Sequence, residues 1–134
     1  YIAGEADRAT DFLARYARRR LTGDHVPYPI EAWPEGSQRH LAAESGLFCR
    51  VVTEGLFGIR PTGLRTFECT PSMPSGWGRM ALRHIRAFEN DFDLEVERID
   101  NDHLSVRLAV AGQPARTFRI RQAETLQIRL PQHP

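Results

Sequence analysis

The chain reads as α+β by segments: two helices first, antiparallel strands afterwards. Three observations carry that reading. Apolar residues recur at three- and four-residue spacing up to about residue 57, and they alternate with period two after Gly58. Turn-forming Pro, Gly, Asn and Asp then divide the second region into short runs. Helices followed by strands form two segregated layers or two domains. The expected division is residues 1–62 as a helical hairpin and residues 63–134 as an antiparallel β-sandwich.

Residues 5–21 form the first expected helix, with Ala6, Ala9, Leu13, Tyr16 and Ala17 on one face and Arg and Asp between them. Thr22-Gly23-Asp24 ends it, Gly23 serving as the C-cap, and Arg18-Arg19-Arg20 suit the negative end of the helix dipole. The run from His25 to Gly36 follows, stiffened by Pro27, Pro29 and Pro34. Ser37 is an N-cap for a second helix over 38–57, whose apolar positions are Leu41, Phe48, Val51, Val52 and Leu56. The small residues Ala42, Ala43, Ser45 and Gly46 allow another helix to approach it closely. Two helices joined by a short loop predict an antiparallel hairpin with the loop at one end. Glu44 and Glu54, in the body of the second helix, are expected to pair with neighbouring helices, and Cys49 to be a small core residue.

Beyond Gly58 the reading changes to strands. Pro61-Thr62-Gly63 is a turn, and Leu64 to Thr70 alternates. Pro71, Pro74, Gly76 and Gly78 then punctuate a loop in which Trp77 is expected to plug the joint between helices and strands. Met80, Leu82, Ile85 and Phe88 mark the next run. Phe92, Leu94, Val96 and Ile99 mark another, and Leu104, Val106, Leu108 and Val110 a third of clean period two. Phe118 with Ile120, and then Leu126, Ile128 and Leu130, complete the set. Turns are expected at Asn101-Asp102, Ala111-Gly112-Gln113 and Ala123-Glu124.

Composition limits the function classes. An apolar fraction of 41% and a charged fraction of 26% describe a globular protein, and no apolar run approaches membrane-spanning length. The 134-residue chain carries a net charge of +1, too close to neutral to imply nucleic acid or an acidic surface as its partner. All eighteen basic side chains are arginine, a compositional bias rather than a motif. Two separated cysteines make neither a disulfide framework nor a metal site and leave the compartment open. A lone His25 is no metal ligand set, and His84 and His103 fall in strand patterns as surface residues. The first residue is Tyr1, and the small, apolar second helix is expected to pack on helical neighbours, both of which suggest a piece of a longer chain.

The run from His25 to Gly36 is the candidate site. It displays two large aromatics, Tyr28 and Trp33, and two carboxylates, Glu31 and Glu35, on one stiffened loop. Three stretches then stand in order: Tyr28-Pro-Ile-Glu-Ala-Trp-Pro-Glu-Gly-Ser-Gln-Arg-His-Leu, the run from Glu44 to Leu64 with its Gly58-Ile-Arg-Pro turn, and Thr70-Pro-Ser-Met-Pro-Ser-Gly-Trp. Over residues 5–100 this resembles the C-terminal end of six-hairpin glycosidases, whose catalytic domain is an (α/α)6 toroid followed by a β-sandwich. The resemblance implies that residues 1–62 are the last helical hairpin of such a toroid. It also implies that the remaining hairpins belong to the same protein and that no cofactor is needed. The α-L-rhamnosidase branch of that superfamily carries its general base on a tryptophan-and-glutamate loop before the last helix, the place of Trp33 and Glu35. Pro34 separates these two here, and both Glu35 and Glu31 stand as candidates for the base.

Glycoside hydrolysis requires two carboxyl groups, about 6.5–9.5 Å apart with inversion and about 5–5.5 Å apart with retention. The resemblance implies inversion and places the general acid on chain outside these residues. Tyr28 and Trp33 offer faces for stacking on a sugar ring. His40 and Arg39 offer hydrogen bonds to its hydroxyls. Glu35 is equally suited to cap the second helix. The competing expectation is a non-catalytic α+β module that binds carbohydrate or braces a larger protein.

Overall fold

The structure, a computed structural model, describes residues 1–20 and 42–132. Two short helices come first: α1 (Ala6–Arg20) and α2 (Ala42–Arg50), the latter running on into a π-helical stretch, Val51–Leu56. Seven strands follow: β1 (Ile59–Gly63), β2 (Thr66–Cys69), β3 (Arg79–Ala87), β4 (Asn90–Arg98), β5 (His103–Val110), β6 (Arg116–Arg121) and β7 (Leu126–Arg129). The described residues are therefore mostly β, in two antiparallel sheets of order β1-β2-β7 and β3-β4-β5-β6. This overturns the expected fold class, a helical hairpin of an (α/α)6 toroid followed by a β-sandwich.

The physical reason lies between residues 47 and 63. The apolar stripe read over 38–57 is not one helix face, because the winding loosens at Val51. The Phe57 N–H there reaches back to the Val52 carbonyl at 3.0 Å, one residue further than an α-helix allows. Val51, one of the expected apolar positions, is 40% exposed, while Leu56 and the following Phe57 enter the core. Cys49, expected inside, is exposed as well. Residues 59–63, read partly as a turn, form β1. Pro61 is tolerated there because β1 is an edge strand.

The two sheets share one apolar core. Phe67, Cys69, Ile128 and Leu130 come from or adjoin the first sheet, and Met80, Phe92, Leu94, Val96, Leu104, Val106, Leu108 and Ile120 come from the second. Phe67 lies at the centre, its ring 5.7 Å from both Phe88 and Phe92. Burying such a ring is worth ~1.5–3 kcal/mol. Met73, not Trp77, is the residue of the Pro-Gly loop that joins this core; Trp77 is 40% exposed. Arg98 secures the loop, its guanidinium donating to the carbonyls of Met73 (3.3 Å), Pro74 (3.0 Å) and Trp77 (3.2 Å). Asp7 of α1 accepts the Ser75 N–H at 2.8 Å, tying helix to loop.

Gly58 is the joint between helix and sheets. Its φ is +62°, and a β-carbon built on it would overlap the carbonyl of Thr70. The Thr70 N–H donates to the Gly58 carbonyl at 3.2 Å, and the Ser72 N–H to that of Leu56 at 2.9 Å. Both a left-handed backbone and the absence of a side chain are required at this one position.

In β3, Leu82 and Ile85 both face the core although they are three residues apart. A bulge between them absorbs the extra residue and places His84 at φ 55°. The Asp93 carboxylate accepts the His84 N–H at 2.8 Å and holds the bulge. The β3–β4 hairpin turns through Phe88 and Glu89, with φ 56° and 60°. This is the left-handed pair of a type I′ turn, built without the usual Asn or Gly. Phe88 therefore belongs to the turn, and Ile99 lies beyond the end of β4, exposed.

Two outcomes are expected. Gly58→Ala should cost about 3 kcal/mol or more, read as a lowered urea midpoint with unchanged slope. Glu89→Gly should raise stability by about 0.5–1 kcal/mol, since it relieves a left-handed residue in the open turn.

Candidate functional site

The residues singled out from the sequence, Tyr28, Glu31, Trp33, Glu35, Arg39 and His40, all lie outside the described residues, as do Gly23, His25 and Ser37. The described residues show what flanks them. The rings of Tyr16 and Phe48 stack at 5.9 Å, and Tyr1 packs against Gly55, where a β-carbon would collide with its ring. The low-numbered end of one segment thus meets the high-numbered end of the other, so the two helices run antiparallel. The end of α1 and the start of α2 face the same way. Between them lies an apolar groove of about 530 Å³ lined by Ala9, Phe12, Leu13, Tyr16, Leu47 and Phe48.

Where the helices meet the first sheet, two adjoining hollows share Tyr1, Ile2, Glu54, Gly55 and Arg60. One, of about 770 Å³, is walled mainly by apolar side chains including Val51, Ile59 and Pro61. The other, of about 330 Å³, is polar and adds Glu68, Thr70, Ser72 and Thr125. An aromatic ring beside hydroxyls, carboxylates and a guanidinium is a constellation that suits a polyhydroxylated ligand. Sequence inspection missed it, because its members come from the π-helical stretch, β1, β2 and the β6–β7 turn, and only the pairing of β2 with β7 brings them together.

The carboxylates of this cleft are already engaged. Arg50 donates to both oxygens of Glu54, at 2.6 and 2.8 Å. That hydrogen bonding, with the charges of Arg50 and Arg60, holds the Glu54 carboxyl below the usual range despite some desolvation. Glu54 is thus exposed and paired within its own helical segment, not buried against a neighbouring helix as expected. Glu68 accepts from Gln127 at 2.7 Å, and Thr70 and Thr125 share a hydrogen bond of 2.9 Å. The arrangement offers hydroxyls, a guanidinium and two hydrogen-bonded carboxylates to a ligand. Cys69 is no nucleophile: burial pushes its thiol up to about 12, and it donates to the Phe57 carbonyl.

The outward face of the second sheet carries the densest charge. Arg83 reaches Asp93 at 3.0 Å and Glu95 at 2.9 Å, while Arg79 pairs with Glu95 and lies 3.6 Å from Glu97. The His84 N–H, then Arg83, lowers the Asp93 carboxyl. Burial pushes Glu95 up, but its bond to Arg83 and the charges of Arg79 and Arg83 outweigh that and leave it lowered. Among the described residues no group of His, Cys, Asp and Glu is arranged to hold a metal ion, and no helix is long and apolar enough to cross a membrane. No family model, no curated protein and no solved structure matches the chain.

Folded-state values below the unfolded ones mean that Asp93 and Glu95 contribute stability above about pH 4, which is lost as pH falls through the lowered values. Arg83→Met should therefore be less stable than the parent at neutral pH. The difference in urea midpoint should shrink as the pH falls through those lowered values and the two carboxyls take up protons.

Proposed function

We propose that this chain is part of an enzyme that hydrolyses glycosidic bonds of oligo- or polysaccharides, with a glutamate of the 25–36 segment as general base. The observation that carries the reading is the ordered set of motifs: the aromatic-and-carboxylate loop, the Gly58-Ile59-Arg60-Pro61 connection and the Pro71–Trp77 loop. Glu35, and second to it Glu31, is the candidate for the proton transfer, on the sequence resemblance alone. The base takes a proton from the water that attacks the anomeric carbon, and an acid outside this chain protonates the departing oxygen, with inversion. No cofactor takes part. The exposed apolar residues Phe12, Leu47 and Val51 fit covering helical segments of the same protein.

A second reading, a carbohydrate-binding module without catalysis, draws on the cleft beside Tyr1, whose hydroxyls, carboxylates and guanidinium suit a polyhydroxylated ligand. Turnover of a panel of aryl glycosides by the full protein separates the two. Glu35→Gln is expected to lower kcat by about 100-fold or more with little change in KM, and Glu31→Gln to have a smaller effect. Sugar binding without any turnover by the parent protein would favour the module. Parental kcat in both variants would eliminate both glutamates as the base.

A further inference from the structure

We infer that the outward face of β5 and β6 is a binding surface for an acidic polysaccharide, one that carries carboxylates along its length. The inference rests on the carbohydrate reading above and adds to it the charge class of the polymer. Register places the groups. Ser105 lies opposite Arg119, Arg107 opposite Thr117 and His103 opposite Arg121, while Leu104, Val106 and Ile120 face the core. Arg107 and Arg119 are then diagonal neighbours about 7–8 Å apart at Cβ. Arg121 lies one strand repeat, about 7 Å, beyond Arg119. Three exposed guanidinium groups follow one another across the face, with the hydroxyls of Ser105 and Thr117 between them.

What singles out this half of the sheet is its lack of compensation. The arginines of β3 are matched by the acids of β4: Arg79 with Glu95 and Glu97, and Arg83 with Asp93 and Glu95. On the other side Arg107 and Arg121 form no ion pair among the described residues; Glu95 lies directly opposite Arg107 on β4, but Arg79 and Arg83 hold it. Arg119 has a carboxylate at 3.5 Å, Asp100, which is itself engaged by His103 at 2.9 Å. Glu124 turns to the Arg121 backbone N–H. Cationic side chains in such surplus are a standing attraction for anions, and the guanidinium fork matches a carboxylate with two parallel hydrogen bonds. The face presents no aromatic ring, since Phe118 packs toward the core. It therefore lacks the stacking platforms on which single-stranded nucleic acid is bound, whereas hydroxyls set between guanidinium groups suit a chain of sugar rings. Arginines on an edge strand also deter edge-to-edge association, and that role makes a different prediction.

The test titrates the full protein, carrying Glu35→Gln to prevent turnover, with polygalacturonate oligosaccharides, a neutral dextran and single-stranded DNA at about 0.15 M salt. Polygalacturonate alone should bind. Replacing Arg107, Arg119 and Arg121 together by Ser should weaken it about tenfold or more. Thr117→Arg, which adds a fourth cation to the row, should tighten it severalfold, and it reads the same surface should the triple variant fail to fold. Equal binding of DNA or dextran would overturn the inference. So would a triple variant that aggregates yet retains parental affinity in its soluble fraction, the outcome expected of edge protection alone. Because the readout is binding, a negative result here leaves the turnover test of Glu35 intact, and a failure of that test leaves this one intact.

Discussion

The course of the chain depends on the space left by one missing side chain. At Gly58 the backbone leaves the π-helical stretch, turns left-handed and passes against the Thr70 carbonyl closely enough that no β-carbon fits. Among the described residues the helical segments all precede that point and the seven strands all follow it. The crossing carries Leu56 and Phe57 inward, where the Cys69 thiol meets the Phe57 carbonyl and the Ser72 N–H meets that of Leu56. The hydrogen bond from Ser75 to Asp7 is a second attachment on the far side of the same joint. Two short helices with so little buried surface of their own hold their place through these contacts more than through each other.

The strands were legible where one rule sufficed. Leu104, Val106, Leu108 and Val110 alternate without interruption, and β5 spans them. Leu82 and Ile85 break the alternation, and only the bulge explains how both reach the core. The turn at Phe88 and Glu89 left no mark in composition, because its left-handed geometry is borne by residues that seldom adopt it and is backed by the packing of Phe88 on Phe67. The second helix misled for the opposite reason: its pattern was periodic, yet the winding changes at Val51, which is left 40% exposed. Trp77 and Met73 share one loop and differ little in hydrophobicity; the hold of Arg98 on that loop, not residue type, accompanies the burial of Met73 and the exposure of Trp77. The loop from His25 to Gly36 stood out by composition alone. The cleft of Glu54, Arg60, Glu68 and Thr125 did not, since strand pairing over long sequence separation creates it.

Charge follows the same lesson. A net charge of +1 describes the sum and conceals the layout. On the second sheet the acids of β4 lie between the arginines of β3 and β5 but pair with those of β3, and among the described residues Arg107 and Arg121 form no ion pair. In an arginine-only sequence the alternation of Arg119 and Arg121 looks like background. Registration against Ser105 and His103 is what gives those residues a common face.

The pairing of β2 with β7 has a consequence for how the protein is made. Thr66 lies opposite Arg129 and Cys69 opposite Leu126, so the middle strand of the first sheet waits for the last one. The second sheet is a plain meander whose neighbours are also neighbours in sequence, and such local contacts form early. On a ribosome the nascent chain would therefore complete one layer while the other still shows an open edge at Phe67 and Cys69. Closure comes only after some sixty further residues have emerged, roughly several seconds at ordinary elongation rates. During that interval the core's central ring, Phe67, is covered from one side only. β7 thus works as a latch, and a chain cut before it would leave the molecule folded on one layer and adhesive on the other.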